Sequence, residues 1–260
     1  MARREKTNYI IQSVSHALDV LEQFAADADE LGVTELSKRL KLHKNNVFRL
    51  LATLEARGYI EQNKATENYR LGIRCLRLGQ HFVQQTGLLR QARPVMAQVA
   101  HSAGETAFIA VMRNGCAIPL DAVETDQAVR LVSRIGEPLP LHSSAAGKLH
   151  LAFADEEVRT ALPESLPKFT EKTLVERPAL FQQLKKIAEG GYAVDMGEYI
   201  DDVRSVAVPV RDYTRSVVGS LAISGPAYRL TQERLEKEII PLMVKSGREL
   251  SARLGFDADH

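Results

Sequence analysis

Residues 34–58, TELSKRLKLHKNNVFRLLATLEARG, carry two short helical patterns separated by Lys41, Leu42 and His43. In the second, Val47, Leu50, Leu51 and Leu54 recur at i, i+3, i+4 and i+7. That spacing lays one apolar stripe along a helix and turns Asn45, Asn46, Arg49 and Thr53 to the other side. A helix of about four turns with amide and guanidinium groups near its start suits the DNA major groove, which admits one helix and offers acceptors to Asn and Arg. The same pattern also fits an ordinary helical hairpin with a solvated face, since surface Asn and Arg need no special explanation.

Immediately downstream, YIEQ (59–62) and YRLG (69–72) are short alternating runs around the polar stretch NKATEN (63–68), the shape of a hairpin wing. Residues 38–77 hold ten Lys or Arg (38, 39, 41, 44, 49, 57, 64, 70, 74, 77) against three Glu (55, 61, 67). The local excess is +7 in a chain of formal net charge +1. Positive charge gathered on one module is the footprint of phosphate binding. Lys44, Asn45, Asn46, Arg49, Thr53 and, in the wing, Lys64 are the candidate DNA-binding residues.

Outward from this core the chain divides. Residues 1–9 read as a polar, basic tail, solvated or lying near a DNA backbone. Ser13 stands where an N-cap is expected, before a helical apolar face of Val14, Ala17, Leu18, Leu21, Phe24 and Ala25 that ends in an acidic loop around 28–32. Residues 10–72 thus form a winged helix-turn-helix domain and 73–90 a linker helix, with a further helical stretch at 88–100. Residues 91–260 form a second domain of alternating strands and helices. In it, Arg113-Asn114-Gly115-Cys116 joins strands 107–112 and 117–123 as a hairpin, because Asn-Gly tolerates the positive φ that such turns need. Strands are also expected at 129–133, 192–195, 205–211 and 217–224. Helices are expected at 143–153, from Asp155 through Ala161, at 178–190 and from Thr231. Antiparallel strands with helices on their faces make the fold class α+β.

Composition narrows the function classes. At 45% hydrophobic and 26% charged residues the chain reads as globular, and no apolar run approaches the roughly 20 residues that span a bilayer. The start MARREKTN lacks a signal-peptide core. Cys75 and Cys116 stand far apart, which argues against a disulfide framework and suits a reducing cytoplasm. Up to residue 90 there are 14 basic and 10 acidic residues, net +4; beyond it there are 20 and 23, net −3. Seven His (16, 43, 81, 101, 142, 150, 260) show no His-Glu-x-x-His spacing, and two separated Cys cannot make a zinc ribbon, so neither metal nor cofactor is expected. His142, Ser143 and Asp195 are triad residue types, yet no G-x-S-x-G elbow accompanies them, and no catalytic residue is assigned.

The dispersed motifs carry a resemblance. Residues 11–90, in IQSVSHALDVLEQF (11–24), VTELSKRLKLHKNNVFRLLATLEARGYIEQ (33–62) and NYRLGIRCLRLG (68–79), resemble the winged helix-turn-helix and linker of IclR-type transcriptional regulators. The likeness continues in EPLPLHSSAAGKLHLAF (137–153), GYAVDMGEYIDDVRSVAVPV (191–210) and GSLAISGPAYRLT (219–231). It implies a GAF-like effector domain and a linker that packs on a partner subunit in a homodimer or homotetramer. It also implies a palindromic double-stranded operator, repression of a catabolic operon, and a small organic acid as effector, with no membrane partner. The alternative from another class is a metabolic enzyme or small-molecule sensor with an N-terminal protein-docking module.

The resemblance places the effector against Leu131, Leu139, Ala145 and Ala146, with Asp195, Ser205 and Ser224 as polar groups. From the residues alone, the small run Ser143 to Gly147, including Ser144, leaves helix-start N–H groups accessible to a carboxylate or phosphate, or else serves close helix packing. Ala222 shares a strand face with Ser224. Two departures stand out. The family's Pro-Lys-Ser-Thr at the recognition helix is His43-Lys44-Asn45-Asn46 here, so the operator does not transfer. Ser205 and Ala222 stand where relatives often carry Cys and Ser, so the ligand does not transfer either.

Overall fold

The computed structural model describes residues 10–25, 29–85, 87–132 and 135–257. The expected tail 1–9, Ala28 and Ser133 lie outside them. The chain forms two compact units, Met1–Gln85 and Thr86–His260.

In the first unit, α1 (Gln12–Glu22) is followed by a 3-10 turn, then α2 (Val33–Leu40) and α3 (Lys44–Ala56). Helix α1 starts earlier than expected: the carbonyl of Ile11 already accepts the N–H groups of Val14 and Ser15, so Ile11 is the N-cap and Ser13 lies inside the first turn. Between α2 and α3 the chain reverses at Lys41, whose φ of 54° is left-handed; Ser37 Oγ donates to the Leu42 carbonyl at 2.6 Å and closes the turn. Val47, Leu51 and Leu54 of α3 pack with Val20, Leu36 and Ile60 in one core. Strands β1 (Ile60–Gln62) and β2 (Tyr69–Leu71) pair antiparallel, with Glu61 opposite Arg70. Helix α4 (Ile73–Gln85) ends the unit.

In the second unit, α5 (Gly87–Ala103) leads into β3 (Thr106–Arg113) and β4 (Cys116–Val123). Then come α6 (Ala145–Ala152), α7 (Glu156–Thr160), α8 (Arg177–Gly190), β5 (Ala193–Asp195), β6 (Val203–Arg211) and β7 (Val217–Pro226). Finally, α9 (Gln232–Arg234) passes through a π turn, Leu235–Ile239, into α10 (Ile240–Arg253). The sheet is antiparallel in the order β4-β3-β7-β6-β5. Strand alternation splits its side chains: Ile109, Val206, Val208, Leu221 and Ile223 face α5 and α10, whereas Phe108, Ala110, Ala207 and Ala222 face α6 and α8. Small residues on the second face, Ala110, Ala207 and Ala222, pack against α6, and Gly147 is required where that helix meets the turn before it, because a Cβ there would clash with the Pro140 carbonyl oxygen.

The strand expected at 129–133 does not form; its described residues are irregular. Their carbonyls are taken by side chains instead of a ladder: Thr106 Oγ1 donates to Leu131 and Arg229 Nη2 to Val129. The chain returns to the β4 edge at Gly136, whose N–H donates to the Pro119 carbonyl, and then at Leu139 through a bridge to Ala117. Helix α6 begins at Ala145, two residues later than expected, because Ser144 is its cap.

Candidate functional site

The first candidate surface is the outer side of α3. His43 caps the helix, its Nδ1 accepting the Asn45 N–H, and Lys44, Asn45, Asn46, Arg49 and Thr53 are all exposed, while Thr53 Oγ1 donates back to the Arg49 carbonyl. Phe48, 56% exposed, stands among them and was not anticipated; on the other side of the helix Val47 and Leu51 are fully buried. Lys64 is exposed in the wing loop, which Glu30 pins by accepting from Asn63 and Thr66 at 2.7 Å each. Those bonds, from Asn63 first and then Thr66, lower the Glu30 pKa. Arg39 and Arg70 are neutralised by Glu35 and Glu61. Among the described residues, Lys44, Arg49 and Lys64 have no ion-pair partner, so their charge is available to phosphate.

The second is a cavity of about 490 Å³ between the sheet and the start of α6. It brings together Leu131, Leu139, Ser144, Ala145, Ala146, Asp195, Ser205 and Ser224, all expected from the sequence. Gly147 and Ala222 are not on its wall: Gly147 is packed against residues 140 and 141, and Ala222 lies in the core under α6. Thr106, Phe108, Pro119, Val132, Glu137, Pro138, Tyr199, Ile200 and Val203 complete the lining and were not anticipated. Thr106 and Phe108 share the sheet face of Ser224 through β3–β7 pairing, so alternation could have found them.

Polar groups within the cavity are already partly committed. Ser144 Oγ donates to the Pro140 carbonyl and accepts from Gly147 N, so it caps α6 and has no proton left for a ligand. The next amides, of Ala145 and Ala146, have no partner among the described residues, and they sit at the positive end of the helix dipole. Ser205 and Ser224, directly opposite in β6 and β7, share one hydrogen bond of 2.7 Å. Asp195 Oδ1 accepts from the N–H groups of Gly197 at 3.0 Å and Glu198 at 2.6 Å. Burial still dominates over those bonds and over the Lys148 ammonium, and pushes the Asp195 carboxyl up to about 6.

No triad is assembled. His142 Nε2 bonds the Pro167 carbonyl and its ring leans on Phe169, Ser143 Oγ is buried without a partner, and Asp195 is held by its own turn. Among the described residues no group of three or more His, Cys, Asp or Glu could hold a metal ion, and no helix is long and apolar enough to cross a membrane.

Comparison with known proteins covers both units. Residues 13–64 match the IclR helix-turn-helix domain and residues 80–252 match the bacterial transcriptional regulator IclR C-terminal domain. The chain belongs to the IclR family. This IclR-family protein is 34% identical over 251 residues to the HTH-type transcriptional regulator XynR of Escherichia coli (strain K12), covering 96% of this chain and 99% of XynR. It is 30% identical over 249 residues to the HTH-type transcriptional repressor AllR of the same strain, covering 95% of this chain and 92% of AllR. A crystal structure of an IclR homolog from Microbacterium hydrocarbonoxydans, complexed with 4-hydroxybenzoate, shares the fold with a TM-score of 0.82 at 23% identity, over 94% of this chain and 99% of that one. As an IclR-family transcriptional regulator the chain pairs a DNA-binding helix-turn-helix with a C-terminal effector domain, and the fold is α+β, as the sequence indicates.

Proposed function

We propose that this protein is a cytoplasmic, non-enzymatic repressor of a catabolic operon. It reads a palindromic operator through Lys44, Asn45, Asn46, Arg49 and Thr53, touches the adjoining backbone through Lys64, and changes its DNA affinity when a small organic acid enters the C-terminal cavity. The observation that carries the reading is the cavity itself: two unpartnered helix-start amides and a buried carboxylate, Asp195, line one apolar-walled space. The amides receive the acid's carboxylate. Asp195 repels a second carboxylate and instead accepts from a hydroxyl, so the effector carries a hydroxyl, or a keto oxygen bridged by water. The relative named as a repressor and the homolog complexed with 4-hydroxybenzoate support the sign and the ligand class.

A homodimer or homotetramer is part of the reading. One module of this size contacts too few bases for specific binding, so two copies read half-sites about one helical turn apart or a multiple of it. Exposed apolar residues in the first unit, Ile10, Ile11, Val14 and Leu18 around α1 and Ile73 and Leu76 in α4, offer a surface for a second copy. The test selects operator fragments from random DNA, fits the stoichiometry, and then titrates 4-hydroxybenzoate, 3-hydroxybutanoate and 2-oxobutanoate for release. A palindromic consensus bound by two or four chains and released by one of these acids is expected. Tight operator binding by a chain that stays monomeric at micromolar concentration rules out the oligomer, and indifference of the complex to every small acid rules out the effector reading.

A further inference from the structure

Lys148 is a charged residue with none of its surface exposed, on a helix whose first turn lines the cavity. Its Nζ meets Glu198 Oε1 at 2.5 Å, fifty residues further along the chain, and Glu198 is itself 6% exposed. Removing two charges from water is expensive, and an apolar pair of similar volume is commonly as stable or more so. Folding alone therefore gives no reason for the pair.

The connections of Glu198 supply one. Its backbone N–H donates to Asp195 Oδ1, and the next two residues, Tyr199 and Ile200, line the cavity. Its carbonyl accepts from Thr173 and Thr170, Thr170 also donates to the Gly197 carbonyl, and Tyr199 packs edge-on against Phe169 at 5.1 Å. The turn after β5 is thus held from one side by residues 169–173 and from the other by Lys148. On α6 the amides of Ala145 and Ala146 lie one turn before Lys148.

Resting on the acid-site reading above, we propose that Lys148 and Glu198 are positioning residues for the effector. Their ion pair fixes the distance between the helix start that receives the carboxylate and the Asp195 turn that receives the hydroxyl, and it sets the electrostatic field at Asp195. The charged or titratable groups around Asp195 are Lys148 from α6, Glu198 and Tyr199 from its own turn, Glu137 across the cavity, and Lys172, whose Nζ reaches the Met196 carbonyl. Beneath the dominant effect of burial and the lowering by the Glu198 N–H, the Lys148 ammonium lowers the Asp195 pKa and the Glu198 carboxylate raises it, the lysine more strongly than the carboxylate.

The experiment is calorimetric titration of the full chain with 4-hydroxybenzoate, 3-hydroxybutanoate and 2-oxobutanoate between about pH 5 and pH 8, with circular dichroism to confirm folding. The parent binds one of the hydroxy acids and loses affinity as pH falls through the Asp195 midpoint near 6. Lys148→Met/Glu198→Leu, which replaces the pair by apolar side chains, folds with at least the parent's stability, binds roughly tenfold more weakly at neutral pH, and moves the midpoint upward. Glu198→Gln, which keeps the contact and removes one charge, moves the midpoint downward. Opposite displacements are what a packing role alone does not produce. Parent-like affinity and midpoint in both variants overturn the proposal. Should the double variant not fold, the Glu198→Gln midpoint decides alone. If the parent binds none of the three acids, the acid-site reading fails and the positioning role with it, an outcome distinct from the one in which only the variants match the parent.

Discussion

Replacing Asp195 by Asn isolates the effect of a buried charge on both stability and site design. Asp195 is 3% exposed, and burial pushes its carboxyl from an ordinary 3.8 to about 6 even though Gly197 N, Glu198 N and Lys148 favour the charged form. That rise corresponds to roughly 3 kcal/mol of preference for the neutral form. A carboxyl whose folded pKa lies above its unfolded value contributes stability that is full below the unfolded pKa and is lost as pH rises through the folded one. For Asp195 the loss runs from about pH 4 to just above pH 6, and at neutral pH the charge weakens the fold by up to about 3 kcal/mol. Asn keeps an Oδ1 that accepts from Gly197 and Glu198, and it has no charge to bury. Asp195→Asn should therefore stabilise the second unit by about 2–3 kcal/mol above pH 7, seen in scanning calorimetry as an upward shift of roughly 5–10 °C, and by nothing near pH 4. A gain of equal size at both pH values would place the effect in the turn geometry, and no gain at neutral pH would refute the argument from burial. A fold that keeps a destabilising carboxylate on a cavity wall fits the trade of stability for ligand recognition.

On DNA, Asn45→Ala or Asn46→Ala should weaken operator binding by roughly 1–3 kcal/mol per subunit in fluorescence anisotropy and leave random DNA little changed, because both side chains are exposed on the outer side of α3. Arg49→Ala, which removes a charge available to phosphate, should weaken operator and random DNA alike; equal loss on operator and random DNA for both Asn substitutions would show that the helix does not read bases. Lys64→Ala should weaken all sequences alike and reduce the slope of log K against log salt by about one; a sequence-dependent loss would place Lys64 on a base. Ala146→Leu should fill the cavity and remove the heat of acid binding while operator binding persists, since the DNA module is a separate compact unit; parent-like binding would move the effector site elsewhere. Gly147→Ala should lower stability by about 1–3 kcal/mol or more in urea denaturation, because the new Cβ would meet the Pro140 carbonyl and Leu141 Cα at 2.3 and 2.6 Å; no loss would mean that the 140–141 turn yields freely.

What the sequence disclosed and what it concealed divide along a physical line. Periodic burial leaves a local trace: the stripe Val47, Leu51, Leu54 and the alternation of Leu221, Ala222, Ile223 and Ser224 each follow from residues within ten positions of one another. The β3–β4 hairpin was equally local, fixed by Asn114 and Gly115 at φ of 50° and 76°. Residues 129–132 carried strand-like composition and yet form no strand, because Thr106 and Arg229, distant in sequence, take the carbonyls a neighbouring strand would have used. The cavity was half legible for the same reason: Ser205 and Ser224 sit on readable strands, whereas Tyr199 and Ile200 reach it through a turn whose path is set by Thr170, Thr173 and Lys148. Lys148 marks the limit. By composition alone a lysine is assigned to the surface, and only its partner fifty residues away turns it into one of the most deeply buried side chains of the effector domain. Side-chain partnerships of that range carry no period, and in this chain they hold the walls of the cavity, so the scaffold was more readable than the polar groups set into it.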